Sequence, residues 1–143
     1  MNRIAIQSIL VAALLMVLAA AVQAADIVVI VNKGNGADIN RAMIEKIFKG
    51  DMSNWPDGSR VEPLDLPESS PDRAAFTSLL YGKSVMNLKA VWQVKLYSGR
   101  GVPPREVKSD DEVKSIVAGN QNAIGYIKAS SVDGSVKAIM TLR

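Results

Sequence analysis

One apolar run, Asp26–Asn32 (DIVVIVN), constrains the fold of this chain more than any other segment. The run is rich in β-branched residues and lacks polar alternation, which is typical of a strand buried on both faces of its sheet. A sheet that contains such a strand must be covered on both sides, and helices are the usual cover. The run therefore predicts an α/β domain.

Capping and turn residues divide the rest of the chain into further elements. Predicted helices run from the cap Asn40 to just before Gly50, from Pro71 up to Gly82, from the cap Ser84 to Ser98, and from the cap Ser109 to about Ala118. The further strands are predicted at Val61–Leu66, Arg105–Lys108, Ala123–Lys128 and Val136–Leu142. This alternation predicts one domain with a mixed, mostly parallel five-stranded sheet and helices on both faces.

The first 24 residues have the layout of a secretory signal peptide. Arg3 precedes the apolar run Ile9–Val22, and small residues at Val22 and Ala24 suit cleavage after Ala24. A membrane-spanning helix needs about 20 apolar residues, so the run favours a cleaved signal over the alternative of an uncleaved anchor. We therefore expect an exported, periplasmic protein that begins at Ala25 and has no membrane span after cleavage.

The composition excludes several classes of function. The chain has no Cys and no His, so disulfides, thiolate metal sites and Ser–His or Cys–His nucleophiles are impossible. Without Arg3, 16 Lys and Arg stand against 14 Asp and Glu. These charges alternate instead of forming the clustered basic face of a nucleic-acid-binding protein. No opposed carboxylate pair of the kind that glycosidases use is evident either. Taken together, these features lead us to expect no enzymatic activity, cofactor, metal or nucleic-acid partner.

Polar loops that follow strands or begin helices are the candidate binding sites, because ligands favour the carboxyl ends of strands. Lys33 and Asn35 lie in the first such loop, and Ser69, Ser70 and Arg73 lie in the second. A third is the predicted capping box that begins at Ser109, where the Ser109 hydroxyl and the Glu112 carboxylate would bind each other's backbone N–H groups. If these loops meet at one edge of the sheet, they can bind a small oxyanion.

Each of these loops also has a purely structural interpretation. The Gly34–Gly36 segment lacks the spacing of a phosphate-binding loop and suits a plain turn. Ser70 before Pro71 is typical of any helix start. Arg73 is equally compatible with a solvated position on its helix.

Several segments, in order, resemble one family of binding proteins. Ile39–Gly50 with Asn54–Gly58 resembles a helix and turn of phosphate-type solute-binding proteins, the periplasmic receptors of phosphate ABC importers. Ser109–Ala118 and Asn122–Ile127 resemble a late helix and strand of those receptors, and Val85–Pro104 resembles their short, single-lobe relatives. The resemblance implies a type II periplasmic-binding-protein fold, of which this chain has one lobe. It also implies phosphate as the ligand.

The chain departs from the family pattern at the implied phosphate site. Leu66 stands where the family carries an arginine, and Ser70, Pro71 and Asp72 stand where it carries Ser-Gly-Thr or Ser-Gly-Ser. Pro71 removes a backbone donor, and Asp72 adds a negative charge. We therefore expect weak oxyanion binding by a transport or sensing accessory. The alternative is a module without ligand that binds an envelope protein or a second copy of itself.

Overall fold

A computed structural model describes residues 26–143, and the predicted signal peptide lies outside this range. The strands are β1 (Ile27–Val31), β2 (Glu62–Asp65), β3 (Arg105–Glu106), β4 (Ala123–Lys128) and β5 (Lys137–Leu142). The α-helices are α1 (Arg41–Lys49), α2 (Pro71–Tyr81), α3 (Val85–Tyr97) and α4 (Asp110–Gly119), and a 3₁₀ turn covers Ala129–Ser131. The predicted order of strands and α-helices is confirmed, and the bounds of β4 are those predicted.

The five strands form one sheet in the order β3-β2-β4-β1-β5. The sheet is mixed, as predicted, but the expectation that it is mostly parallel is wrong. β2 runs parallel to β3 and β4, whereas β1 runs antiparallel to β4 and β5. The order of elements along the chain does not fix strand direction, which depends on where each connection returns. As a consequence, β1 ends at the opposite edge of the sheet from β2 and β4.

Helices cover both faces of the sheet, as predicted. Tyr126 stacks on Phe76 of α2 with ring centroids 3.8 Å apart, and its ring also lies edge-on to Phe48 of α1. Gly125 faces α4, where a Cβ atom would lie 2.6 Å from Cγ1 of Val113. Consecutive strand residues point to opposite faces, so α1 and α2 lie on one side and α4 on the other. All five residues of β1 are buried between these layers.

Capping residues begin and end the helices where the sequence predicts. Asn40, Ser70, Ser84 and Ser109 each accept a hydrogen bond from the backbone N–H three residues later. The predicted capping box at Ser109 is half correct. The Glu112 carboxylate accepts from the backbone N–H of Lys108, at 2.9 Å, instead of from that of Ser109.

Helix α3 differs from the prediction in the width of its buried face. Leu88 and Trp92 are buried, and Trp92 Nε1 donates to the carbonyl oxygen of Phe48 at 3.2 Å. The helical spacing of the apolar residues predicts Val91 and Leu96 on the same side, but both are exposed. The reason is that α3 packs mainly on α1 and α2, which cover only a narrow face of α3.

No helix within residues 26–143 combines the length and apolar character needed to cross a bilayer.

Candidate functional site

The N-termini of α2 and α4 border one open groove, which we call the α2–α4 groove. It lies at the carboxyl ends of β2 and β4, because these parallel strands end at the same edge of the sheet. Its volume is about 580 Å³. It is lined by Leu66, Pro67, Ser69, Ser70, Pro71, Asp72, Lys108, Ser109, Asp110, Asp111, Lys128 and Ser131.

The two helix starts supply hydroxyl groups and backbone donors to this groove. Ser70 Oγ accepts from the Arg73 N–H at 3.3 Å, and Ser109 Oγ accepts from the Glu112 N–H at 3.2 Å. Ser69 is exposed beside Ser70. First-turn N–H groups lack intrahelical partners, and the helix dipole favours an anion there. The structure therefore brings together the second and third of the three candidate loops.

The charges of the groove oppose a strongly bound anion. Asp72 and Asp110 are partly buried in it, and Lys128 Nζ lies 3.4 Å from the Asp72 carboxylate. Asp110 Oδ2 accepts from the backbone N–H of Lys128 at 3.1 Å and from Ser131 Oγ at 2.8 Å. Asp111 is the third carboxylate in the lining of the groove, whereas Lys108 and Lys128 are the only two lysines that line it within residues 26–143. An anion that enters must compete with Asp72 for Lys128.

Arg73 does not line the groove. The expectation that Arg73 is the charge partner of the oxyanion is therefore corrected. Its Nη1 donates to the carbonyl oxygen of Leu66 at 2.9 Å, and its Nε lies 3.4 Å from Asp65 Oδ2. Glu106 approaches the same guanidinium at 3.7 Å. Asp65 belongs to β2 and Glu106 to the neighbouring parallel strand β3. The guanidinium of Arg73, in the first turn of α2, contacts both carboxylates.

Asp65 is the centre of a partly buried polar cluster under α2. Burial raises the pKa of its carboxyl above the usual value of 3.8, although the Tyr126 hydroxyl and the Arg73 guanidinium act in the opposite direction. The Tyr126 hydroxyl donates to Asp65 Oδ1, and burial raises the pKa of this tyrosine as well. The cluster fixes the end of β2 against β4, and Arg73 supplies its positive charge.

Lys33 and Asn35 lie at the opposite edge of the sheet, so the expectation that all candidate loops meet is wrong. Asn35 Nδ2 lies 3.4 Å from the carbonyl oxygen of Gln121, just before β4 begins, whereas Lys128 ends β4 beside Asp72. The six residues of β4 separate the two edges by about 17 Å at 3.3 Å per residue. A single phosphate-sized ion cannot contact both sets.

Side-chain amides of Asn32 and Asn35 hold the end of β1 and the loop that follows it in place. Asn32 Nδ2 donates to the carbonyl oxygens of Val117 and Ala118, at 2.8 and 2.9 Å, and so ties the end of β1 to α4. Asn35 is buried, and its Oδ1 accepts from the Ala37 N–H at 2.9 Å. These contacts support the plain-turn interpretation of the loop. The sequence leaves open whether Trp55 belongs to the core or to the surface. In the structure it is buried, and its Nε1 donates to the carbonyl oxygen of Asn122 at 3.1 Å.

Lys108, Asp110 and Lys128 line the groove but were not candidates from the sequence. Lys128 is the charged residue that ends an otherwise apolar strand, which is the signal that marks it. That signal becomes useful only when β4 is known to be the parallel neighbour of β2, and a non-local pairing of this kind is not visible in local sequence patterns.

The parallel strands of this mixed sheet end at two helix N-termini, which is where α/β proteins usually bind ligands. The chain belongs to the PBP superfamily, whose domain model matches residues 17–139. This family is one of binding proteins with the periplasmic-binding-protein fold. The predicted fold class is therefore confirmed apart from the parallel majority of its strands, and two solved structures confirm the resemblance to phosphate-type receptors.

Solved structures support the same family. An ABC-type phosphate transport receptor from Vibrio cholerae is 27% identical, covers 80% of this chain and superposes with a TM-score of 0.62. A protein from Clostridium perfringens, assigned as a phosphate ABC transporter substrate-binding protein and solved with bound phosphate, is 28% identical over 80% of this chain with a TM-score of 0.64. The matches span 46% and 45% of those two chains. This chain therefore spans less than half the length of these relatives.

Proposed function

We propose that this chain is an exported, periplasmic, non-catalytic binding protein that binds phosphate or another small oxyanion weakly in the α2–α4 groove. It would act as an accessory to transport or sensing, and it needs no cofactor. The observation that carries the proposal is the convergence of two helix N-termini and the Ser69, Ser70 and Ser109 hydroxyls at one sheet edge. A relative that holds phosphate on the same fold supports the choice of ligand.

Low affinity follows from the residues that surround these donors. Pro71 has no N–H group at the first position of α2, so that helix offers one donor fewer than a helix without proline. At about 4 Å and an effective dielectric constant near 20, two like unit charges repel by about 4 kcal/mol. Asp72 imposes a repulsion of this kind on any anion beside Ser70, and its ion pair occupies Lys128.

Calorimetric titration of the protein from Ala25 onward with phosphate and sulfate tests the proposal. We expect a saturable signal for one anion, and a matching thermal stabilisation. A ligand at 100 times its Kd stabilises a fold by about 2.7 kcal/mol, which raises the melting temperature of a domain this size by several degrees.

Two groove variants and one control variant locate the site. Lys128→Gln removes a groove cation and Ser69→Ala removes an exposed hydroxyl that caps no helix, so both should weaken anion binding. Lys33→Gln removes the same charge as Lys128→Gln at the other edge of the sheet and should leave the affinity unchanged. The proposal is wrong if no anion binds at millimolar concentration, or if Lys33→Gln weakens binding as much as Lys128→Gln.

Export is tested separately from binding. Expression of the full chain in a Gram-negative host should release a periplasmic protein whose N-terminus, read by mass spectrometry, is Ala25. Replacement of Ala24 by arginine should block this cleavage, because the −1 position takes small residues. Retention of the unprocessed chain in the cytoplasm of the host would contradict export and leave the binding test unaffected.

A further inference from the structure

Helix α3 and the loop that follows it expose an apolar surface. Every exposed large hydrophobic side chain in the described part of the chain lies in this one segment, between residues 86 and 102. These side chains are Met86, Val91, Val94, Leu96, Tyr97 and Val102. Tyr97 is 96% exposed, Val102 72% and Met86 67%. Single exposed apolar residues are ordinary on protein surfaces, but a contiguous group of them marks a contact surface.

The helical spacing places this apolar surface opposite the buried side of α3. Leu88 and Trp92, four residues apart, face α1 and the core. Met86, Ala90, Val94 and Tyr97 recur at intervals of three and four residues and form a stripe on the outward side. A helix that is apolar on both sides is normally covered on both, whereas this stripe is bare on the described chain.

The same segment concentrates positive charge. From Gly82 to Arg105 the sequence contains five cations and no carboxylate, whereas the rest of residues 26–143 contains 11 cations and 14 carboxylates. The cations are Lys83, Lys89, Lys95, Arg100 and Arg105. Lys89 pairs with Glu68 and Lys95 with Asp51, but the other three form no ion pair within residues 26–143. Lys83 and Arg100 therefore stand at the two ends of the stripe without a counterion.

This charge distribution disfavours a second copy of the chain as the covering partner. Antiparallel pairing of two α3 helices through the stripe would bring Lys83 of one copy toward Arg100 of the other. Parallel pairing would bring each of these cations toward its own equivalent. Like charges that face each other across an interface destabilise it, so the occupant must be negatively charged as well as apolar.

We propose that the outward face of α3, from Lys83 to Arg100, docks on an anionic lipid surface. Met86, Val94 and Tyr97 would enter the boundary between head groups and acyl chains, where amphipathic and apolar side chains are favoured. Lys83 and Arg100 would contact lipid phosphates. A bilayer surface supplies both the apolar layer and the negative charge that the stripe requires. This docking is independent of the groove that binds the oxyanion.

Vesicle cosedimentation tests the proposal with the protein from Ala25 onward, which contains every described residue of the core. We expect binding to vesicles of equimolar phosphatidylglycerol and phosphatidylcholine, and little binding to phosphatidylcholine alone. High salt should weaken it, since exposed charges are screened. The double variant V94S/Y97S should lower the partition coefficient by about tenfold or more, because it removes two inserting side chains.

A double charge variant and a matched control show whether binding depends on the charges beside the stripe or only on the net charge of the protein. K83Q/R100Q should weaken binding to anionic vesicles, whereas K33Q/K46Q makes the same change in net charge elsewhere and should not. Failure to bind anionic vesicles, or equal binding by V94S/Y97S, would overturn the proposal. So would a concentration-dependent dimer in analytical ultracentrifugation that Y97S abolishes, because a second copy would then cover the stripe.

Discussion

The Nε atom of Arg73 lies 3.4 Å from Oδ2 of Asp65, and both side chains are largely buried. This pair closes a cluster in which Tyr126 also donates to Asp65. The arginine is therefore part of the scaffold that positions the start of α2, and the groove above it depends on Lys108 and Lys128 for positive charge. Four predictions follow from this arrangement and from other close contacts of the fold.

Arg73→Gln should destabilise the protein without changing oxyanion affinity. Removal of the guanidinium leaves the buried Asp65 carboxylate unpaired, which costs about 3 kcal/mol in comparable buried pairs. Urea unfolding measures this change. The matched variant Lys89→Gln breaks the exposed pair with Glu68 and should cost less than about 1 kcal/mol. A loss of anion binding in a folded Arg73→Gln protein would contradict this prediction and show that Arg73 takes part in oxyanion binding.

Asp72→Asn should strengthen oxyanion binding. The substitution removes a negative charge from the groove and releases Lys128, whose Nζ now lies 3.4 Å from Asp72. We expect the affinity for phosphate to rise about tenfold or more, which corresponds to about 1.4 kcal/mol of reduced repulsion. Calorimetric titration measures it. Asp57→Asn, at the other edge of the sheet, makes the same charge change, and an equal gain there would show that the effect is not local.

Gly50→Ala should be more destabilising than Gly82→Ala. Both glycines end helices in the left-handed region, at φ 77° and 65°. A Cβ atom on Gly50 would overlap the Trp92 ring, whereas one on Gly82 would meet nothing within 4 Å. We expect about 1–2 kcal/mol of backbone strain at Gly82 and about 2–4 kcal/mol at Gly50, where overpacking adds to strain. Equal losses in urea unfolding would mean that Trp92 moves freely.

Asp133 should titrate below its ordinary pKa of 3.8 in the folded protein. The Ser135 hydroxyl and backbone N–H hold the pKa of this carboxyl down, and Lys114 Nζ at 3.0 Å adds to the effect. Because the folded-state pKa is depressed, the resulting stabilisation is present above pH 3.8 and is lost as the pH falls through the folded-state value.

Carboxyl NMR titration of Ser135→Ala checks this assignment. The pKa of Asp133 should rise toward 3.8, since the variant removes the largest cause of the shift. Lys114→Gln should raise it by less. The acid side of the stability curve should become flatter in Ser135→Ala, and a larger effect of Lys114→Gln would reverse the ranking of the two causes.

Local structure was predictable because short-range chemistry determines it. Asn40, Ser84 and Ser109 cap helices as their side chains predict, and the left-handed Gly50 ends α1. The burial of Val29 and its neighbours in β1 follows from the unbroken apolar run. Each of these features depends on contacts within a few residues, or on the hydrophobicity of a single segment.

The candidate site was predictable in part. Ser69, Ser70 and Ser109 were identified as groups at helix starts, and they do share one groove. Asn35 would join them only if β1 ended at the same edge of the sheet as β2, and the antiparallel pairing of β1 with β4 contradicts this. Lys128 was missed because its relation to Asp72 exists only after two distant segments pack.

The sequence by itself determined the elements, their caps, the apolar strand β1 and the family of this protein. The tertiary structure decided which way β1 runs, which loops meet, that Arg73 binds Asp65, and that α3 leaves a basic, apolar face uncovered. The physical reason is the range of the interactions. Capping and hydrophobic periodicity act within one element, whereas strand direction and ion pairing depend on residues 8 to 115 positions apart in the chain that only the packed sheet brings together.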